Sequence, residues 1–308
     1  MDPAPEPRQT RHPRWREFTF TLHRIFRNPS ALIGFGLLLF FVAVALAAPS
    51  LAPPKYAHAP YQMPHTGFSP TPKPPGDLHL FGTTSGQYDI YYGVVWGTRT
   101  AFKIGLFVVG IAGCFGTFLG VISGYYGGWF DEILMRIVDI VWSVPLLVLA
   151  MTIVVAFGRG LENIMIALAL VEWRWYVRVI RSEVLTLRDR DFVQAARLMG
   201  RSDTKIIARH ILPNAIYPVL IMASMDMGSM VISASFMSFV GLGAPKGYAD
   251  WGQMVALARN YIVGPPEDPL RFWYTVAIPG TCIILFVLAW NLIGDALRDA
   301  FDPKQRRR

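Results

Sequence analysis

The chain contains a run of 22 residues without a charge near its start, ALIGFGLLLFFVAVALAAPSLA at 31–52. The hydrocarbon core of a bilayer is about 30 Å thick, and a helix needs about 20 apolar residues to cross it. The run is too long for the apolar part of a cleavable signal peptide, and it lacks an early A-x-A site. It therefore predicts a first membrane-spanning helix over 31–52.

Five further apolar windows follow, and they cover about 101–123, 133–157, 163–180, 218–240 and 274–294. The fourth window is the least apolar, and the third contains Pro145. Only 16% of all residues are charged, compared with about 25% in a typical soluble domain. The sequence therefore predicts an all-α polytopic membrane protein with six transmembrane helices, the last five of them in a core domain at 101–294.

The basic residues between these windows are unevenly distributed. Nineteen lie in the N-terminal arm (1–30), from Arg178 at the end of the fourth window to the start of the fifth, and in the tail (295–308), whereas the other segments between the windows hold seven. Cytoplasmic segments of membrane proteins carry an excess of Lys and Arg. Because six crossings place both termini on one side, we expect both termini and the middle basic segment to be cytoplasmic. The net charge of +8 is thus explained by orientation in a lipid bilayer, without a nucleic-acid partner.

Two longer segments are expected on the opposite side of the membrane. The segment 53–100 begins with the Pro-rich run PKYAHAPYQMPHTGFSPTPKPP, which favours neither helix nor sheet. The segment 241–273 contains DWGQMVALARNYI, which is too polar to cross a membrane and predicts a short helix. We therefore expect an extended first outer loop and a second one that contains a short interfacial helix.

The middle basic segment, 182–214, reads SEVLTLRDRDFVQAARLMGRSDTKIIARHILPN. Gly200 interrupts its helical spacing, and Arg201, Ser202 and Asp203 are suited to a turn. A second helix is predicted over 204–212, ending at Pro213. Small residues would let a partner backbone approach this elbow, although a solvated basic loop is the alternative.

The same segment resembles the coupling loop of ATP-binding-cassette importer permeases. That loop has Glu-Ala-Ala, three residues, Gly, nine residues and Ile-x-Leu-Pro. Five residues of this chain match, and two replace the usual Glu and Ile: Ala195, Ala196, Gly200, Leu212 and Pro213, with Gln194 and His210 as the replacements. The resemblance implies that these seven residues and Arg197 form the ATPase-coupling loop, with the small residues in a groove of the ATPase.

Other stretches resemble the oligopeptide, dipeptide and nickel branch of these permeases. They are HILPN at 210–214, GVISGYYGGWFDEILMRIVDI at 120–140, SFVGLG at 238–243 and NLIGDALRDAFDP at 291–303. The last is similar to the end of the C-type subunit, which pairs with a B-type permease. The stretch GTTSGQYD at 82–89 departs from the usual Gly-Thr-Asp-x-x-Gly-Arg-Asp, so the substrate stays open between peptides, nickel and oligosaccharides.

The resemblance implies the fold of a type I importer permease in a bacterial or archaeal inner membrane. The implied partners are a B-type permease, two ATP-binding subunits and an extracytoplasmic substrate-binding protein. No G-x-x-x-x-G-K-[ST], H-E-x-x-H, C-x-x-C or G-x-S-x-G occurs in the chain. We therefore expect a permease that is no enzyme and binds no cofactor or metal, with ATP and Mg on partner subunits. A membrane-embedded hydrolase has no nucleophile–base arrangement to support it.

Charged residues inside membrane helices are costly and usually face protein or water. Asp226 lies alone in the fifth window and Glu172 in the fourth. Both are candidates for lining the translocation path, and for Asp226 the alternative is a hydrogen bond to a neighbouring helix. Midplane charges would also suit a stand-alone secondary transporter, which has no need of a docking elbow. Arg136 and Asp139 are three residues apart and are expected to pair.

Overall fold

The structure is a computed structural model that describes residues 29–301. The part of the chain that it describes is helical, with isolated β-bridges and no strand. The predicted N-terminal arm up to residue 28 and the tail from 302 lie outside it. The helices are α1 (Pro29–Leu51), α2 (Ile90–Tyr126), α3 (Gly128–Ser143), α4 (Leu146–Phe157), α5 (Leu161–Arg188), α6 (Asp191–Leu198), α7 (Asp203–Ile206), α8 (Leu212–Val240), α9 (Trp251–Leu257) and α10 (Tyr274–Phe301).

Four helices within 29–301 are long and apolar enough to cross a membrane: α1, α2, the continuous helix Asp203–Val240 that contains α8, and α10. The pair α3 and α4 makes a fifth if it counts as one span. The predicted fourth span corresponds to α5, whose 28 residues extend about 42 Å. Because α5 carries several charged residues, it is not among the helices apolar enough to cross a membrane. Two of these residues, Glu172 and Arg174, are nevertheless buried within the chain.

The third predicted span is not one straight helix. Helices α3 and α4 meet at an angle of 90° across Val144 and Pro145. Proline has no backbone N–H to continue a helix, and it disfavours helical dihedrals in the residue before it. Val144 accordingly has an extended conformation, with φ −100° and ψ 130°. The window 133–157 is therefore bent at its centre, and Pro145 is the cause.

Helix α2 begins eleven residues before the apolar window that predicted it. Asp89 caps the helix, because its Oδ1 accepts a hydrogen bond from the N–H of Tyr92 at 2.8 Å. The other carboxylate oxygen binds Nδ1 of His79 at 2.7 Å. A cap of this kind satisfies N–H groups that have no partner inside the helix. The Pro-rich loop before it is irregular, as predicted, and ends at Asp89 instead of residue 100.

A stripe of three glycines sets the distance between α2 and α5. Gly116, Gly120 and Gly124 are spaced four residues apart and lie on the α2 face that packs on α5. A Cβ at Gly116 would lie 2.5 Å from the carbonyl oxygen of Trp173, and one at Gly120 would lie 2.6 Å from that of Val177. Small residues at this spacing let two membrane helices approach closely. The two backbones are therefore in near contact.

Helix α8 packs against α2, α5 and α10, and α1 packs against α10 and α2. An aromatic cluster joins these layers, with ring centroids of Phe41 and Phe286 5.4 Å apart and Trp251 6.0 Å from Phe41. This aromatic cluster holds the second long loop to one end of the helix bundle.

Trp251 begins the short helix α9, which confirms the helix predicted in the second long loop. Asp250 caps α9, and burial raises the pKa of its carboxyl.

Candidate coupling site

The elbow predicted around Gly200 is present in the structure. Helix α6 ends at Leu198, and α7 begins at Asp203. Gly200 has φ +72°, a left-handed conformation that residues with a side chain rarely adopt. Its N–H donates to the carbonyl of Arg197 at 2.9 Å, and the N–H of Arg201 donates to that of Ala196 at 3.2 Å. This pair of bonds is the Schellman motif, so the helix–glycine–helix prediction is confirmed.

The elbow has a buried and an exposed face. Val193, Ala196 and Ile206 are buried against the rest of the chain. Gln194, Ala195 and Arg197 are exposed, and so are the tip residues Leu198 and Met199, at 90% and 70%. Of the two alanines expected in a partner groove, Ala196 therefore faces inward, and only Ala195 is on the outer face. The exposed pair Leu198–Met199 adds an apolar tip that the motif did not single out.

The second arm of the elbow does not end at Pro213, so this part of the prediction is wrong. The chain continues from Asp203 to Val240 as one helix of 38 residues. It passes through a π-helical segment, Ile207–Ile211, which is closed by the bond from the N–H of Leu212 to the carbonyl of Ile207. The second arm of the elbow is thus the beginning of the helix Asp203–Val240, the longest of the candidate membrane helices within residues 29–301.

The sequence His-Ile-Leu-Pro-Asn accounts for that wide turn. In a regular α-helix, the ring of Pro213 would collide with the carbonyl of Arg209, and no N–H would be available to bond it. A π turn has more room at this point, and such turns occur singly within α-helices. Nδ2 of Asn214 donates to the carbonyl of His210 at 2.6 Å. Nε2 of His210 is buried and has no hydrogen-bond partner within residues 29–301.

Asp226 has a partner on a neighbouring helix. The hydroxyl of Tyr176 on α5 donates to its Oδ2 at 2.8 Å. Glu172 lies one helical turn before Tyr176, is 4% exposed, and has an Oε2 without a hydrogen-bond partner in the described chain. The two acids thus lie on α5 and α8 on either side of one tyrosine.

The other intramembrane charges pair differently from the expectation. Asp139 forms an ion pair with Arg178 of α5, so the predicted pairing with Arg136 on its own helix is wrong. The guanidinium of Arg178 also lies 4.1 Å from the ring centroid of Trp142. Arg174 donates weakly to the carbonyl of Val141 at 3.4 Å. These contacts join α3 to α5. Asp139 is reached by Arg178 on the facing helix and not by Arg136 on its own helix.

A cavity of about 790 Å³ lies between α2 and the Asp203–Val240 helix. Its walls are mostly apolar and include Val109, Phe118, Thr204, Ile207, Leu212 and Leu220. Tyr176 also lines it, so the hydroxyl that binds Asp226 belongs to a side chain of the cavity wall. This arrangement places Asp226 one side chain away from the cavity, which is open to the outside of the chain.

Two family models match the sequence. The model described as binding-protein-dependent transport system inner membrane component matches residues 116–307, and that of the N-terminal TM domain of oligopeptide transport permease C matches 14–73. Among curated proteins, the chain is 37% identical over 304 residues to a dipeptide transport system permease protein of Alkalihalophilus pseudofirmus. That alignment covers 99% of this chain and 94% of the relative.

Two further relatives carry related names. A probable D,D-dipeptide transport system permease protein of Escherichia coli is 42% identical over 75% of this chain and 75% of its own length. A glutathione transport system permease protein of Pectobacterium atrosepticum is 35% identical over 94% of this chain and 91% of its own length. Among solved structures, an inward facing methionine ABC transporter matches with a TM-score of 0.54 and 18% identity. That match covers 69% of this chain and 98% of the solved chain, and it supports a shared fold.

Proposed function

The chain belongs to the family of binding-protein-dependent transport system inner membrane components, and from this membership we propose that it carries peptides across the membrane. It is a permease subunit of an ABC importer and not an enzyme. The relatives named above are described as permeases for dipeptides, D,D-dipeptides and glutathione. Nickel and oligosaccharides are the other candidate substrates. The peptide proposal is supported chiefly by the relative that aligns over almost the whole of both chains.

We propose that the chain crosses the membrane six times with both termini in the cytoplasm. Besides the four long apolar helices, we count α5 as a crossing, because Glu172 and Arg174 in its middle part are buried inside the protein. The bent pair α3 and α4 would form one crossing. The excess of basic residues in the arm, the elbow and the tail supports the orientation. In that orientation the elbow projects into the cytoplasm.

The elbow is the proposed contact with one of two ATP-binding subunits, which would hold ATP and Mg. The chain lacks a nucleotide-binding motif, so energy must enter through contact with a subunit that has one. The single observation that supports this role most directly is the exposed apolar tip formed by Leu198 and Met199. Exposed apolar surface rimmed by charge is typical of protein contact sites. Gln194, Ala195 and Arg197 flank the tip, and Gly200 sets its angle.

The remaining partners are a B-type permease and an extracytoplasmic substrate-binding protein. The two permeases would enclose the translocation path between them, and the binding protein would deliver the peptide at the opposite end from the elbow. A stand-alone secondary transporter is the alternative. It is disfavoured by the elbow, because a lone carrier has no use for an exposed apolar tip outside the membrane.

The test of this function is reconstitution. Expressed alone, the chain should hydrolyse no ATP. With the second permease and the ATP-binding subunits of the same gene cluster, ATP hydrolysis should rise when loaded binding protein is added, and labelled dipeptides should accumulate in vesicles. Uptake assays with nickel and with oligosaccharides in place of the dipeptide decide between the candidate substrates. Uptake by the isolated chain, driven by an ion gradient, would show that the importer assignment is wrong.

Asp226 and Glu172 are proposed to face the translocation path, where they would meet cationic parts of the substrate. The cavity beside Tyr176 supports this placement for Asp226. Asp226→Asn removes the charge but keeps an oxygen that can accept the bond from Tyr176. It should therefore slow uptake of lysine-containing dipeptides several-fold relative to neutral ones. Assembly should be unchanged in a co-purification assay.

Tyr176→Phe is the matched control for the Asp226 prediction. It keeps the charge on Asp226 and removes its hydrogen-bond donor, which leaves a buried acid unpaired at a cost of about 1–3 kcal/mol. It should lower the yield of folded protein without selecting against cationic peptides. Equal uptake of both peptide classes by Asp226→Asn would indicate that the carboxylate only holds α8 against α5.

A further inference from the structure

The elbow touches one membrane helix, α2, to which it is not directly joined along the chain. Tyr125, at the C-terminal end of α2, is 6% exposed. Its hydroxyl donates to Oδ1 of Asp203 at 2.5 Å, and the guanidinium of Arg197 lies 5.3 Å from the centroid of its ring. Arg197 belongs to the first arm of the elbow and Asp203 to the second. One side chain of α2 therefore contacts both arms across the Gly200 turn.

The same end of α2 also binds α3 and α5. The hydroxyl of Ser123 donates to Asp131 of α3. Asp131 in turn accepts two bonds from the guanidinium of Arg181 on α5, at 2.5 and 2.6 Å. Arg188, also on α5, donates to the carbonyl of Gly124 at 3.1 Å. The three residues 123–125 thus join α2, α3 and α5, and Tyr125 adds the elbow to this group.

Two covalent links and one set of side-chain contacts connect the elbow to the membrane helices. Asp189 and Arg190 join its first arm to α5, and the π segment joins its second arm to α8. The side-chain contacts lead through Tyr125 to the end of α2, and from there through Ser123 to Asp131 of α3. A movement of the elbow that left α2 behind would have to break the bond between Tyr125 and Asp203.

We propose that Tyr125 is a positioning residue that transmits movement of the elbow to α2 and α3, so that ATP hydrolysis moves these two helices together with α5 and α8, to which the elbow is covalently joined. This rests on the proposed docking of an ATP-binding subunit on the elbow. Coupling between distant sites needs an element that both sites bias. The elbow together with residues 123–125 is such an element, because Tyr125 contacts both arms of the elbow through Arg197 and Asp203.

The test is Tyr125→Phe in the complete complex in lipid nanodiscs. The variant keeps the ring over which the guanidinium of Arg197 lies, and it removes the hydroxyl that binds Asp203. Loss of a hydrogen bond to a charged group shifts an equilibrium by about tenfold or more. We therefore expect about tenfold less uptake of tritiated dipeptides per ATP hydrolysed in vesicles. The ATP-binding subunits should still co-purify, because the outer face of the elbow is unchanged.

Tyr126→Phe is the matched control. Tyr126 is adjacent on the same helix and 57% exposed, and no hydrogen bond of its hydroxyl occurs in the described structure. Its loss should leave the ratio of uptake to hydrolysis at the wild-type value. Arg197→Ala removes a single exposed contact with the ring of Tyr125 and should lower the ratio by less than Tyr125→Phe does.

A double-mutant cycle identifies the bond itself. Asp203→Asn keeps an acceptor for the hydroxyl and should be mild, whereas Asp203→Ala should match Tyr125→Phe. The double variant Tyr125→Phe/Asp203→Ala should be no worse than either single variant, because both remove the same interaction. Additive losses would show that the two residues act independently and would overturn the proposal.

Two further outcomes separate this proposal from the proposed function. If the wild-type elbow does not cross-link to an ATP-binding subunit, the proposed function fails irrespective of Tyr125. If the wild-type complex assembles and Tyr125→Phe couples hydrolysis to uptake as well as wild type does, the positioning role of Tyr125 is wrong while the function stands. Release of the ATP-binding subunits by Tyr125→Phe would also contradict the positioning role, which requires them to stay bound.

Discussion

Gly200→Val is expected to yield a chain that inserts and folds but no longer couples ATP hydrolysis to uptake. Gly200 has φ +72°, and no atom lies within 4 Å of the place where its Cβ would be. The cost inside the chain is therefore backbone strain, on the order of 1–3 kcal/mol for a residue forced into this region. The elbow can avoid that strain only by changing the angle between its arms. Uptake of dipeptides in vesicles should fall more than tenfold.

Two variants distinguish the reasons for this effect. Asn tolerates the left-handed conformation better than other residues with a side chain. If the turn is the requirement, Gly200→Asn should restore much of the uptake, whereas a tight groove on the ATP-binding subunit would reject Asn and Val alike. Gly128→Val is the strain control, because Gly128 has φ +66° and equally open surroundings outside the elbow. Wild-type coupling by Gly200→Val would mean that energy enters elsewhere.

Gly120→Val should prevent folding altogether. A Cβ there would lie 2.6 Å from the carbonyl oxygen of Val177, and a backbone atom cannot rotate away. Helices α2 and α5 would have to separate along the largest helix interface of the described chain. Overpacking costs about 1–3 kcal/mol and occasionally more, and here two helix backbones have to move. We expect little monodisperse protein after detergent extraction, measured by size-exclusion chromatography.

Gly110→Val supplies the control on the same helix, since a Cβ at Gly110 would meet nothing within 4 Å. It should give normal yields. Combining Gly120→Val with Ile180→Ala removes the nearest side chain and leaves the carbonyl of Val177 in place, so it should not restore folding. Restored yields in that double variant would show that the obstacle is a side chain and that the two backbones are not in close contact.

The parts of the fold that depend on local sequence could be predicted. The uncharged runs located both ends of α1 and the start of α10 within a few residues, because the thickness of a bilayer fixes the length of an apolar helix. The Gly200 turn was also predictable, since few other residues accept its backbone conformation. The effects of the two prolines were harder to predict. Pro145 bends the third window by 90°, an angle that hydropathy does not give, and Pro213 lies within a helix that it was expected to end.

The parts that depend on distant contacts could not be predicted from spacing along the chain. Asp226 obtains its partner from a residue fifty positions earlier, and Tyr125 obtains Asp203 from seventy-eight positions later. The two residues of each pair lie on different helices, so no spacing along the sequence indicates their contact. The stripe at Gly116, Gly120 and Gly124 is different. Its four-residue spacing is visible in the sequence and is a known signal for close packing of membrane helices, so the α2–α5 contact was within reach of sequence reasoning.

The wide turn at 207–211 also determines how the rest of the helix is rotated. A single π turn is equivalent to one extra residue in an α-helix, and each residue advances the helix by about 100°. Every side chain beyond Pro213 is therefore set by that extra residue, including Asp226 facing Tyr176. Shortening the turn by one residue would keep the helix apolar and long enough to cross the membrane, yet it would turn Asp226 away from α5. The His-Ile-Leu-Pro-Asn sequence thus fixes the rotational phase of the helix, besides joining it to the elbow.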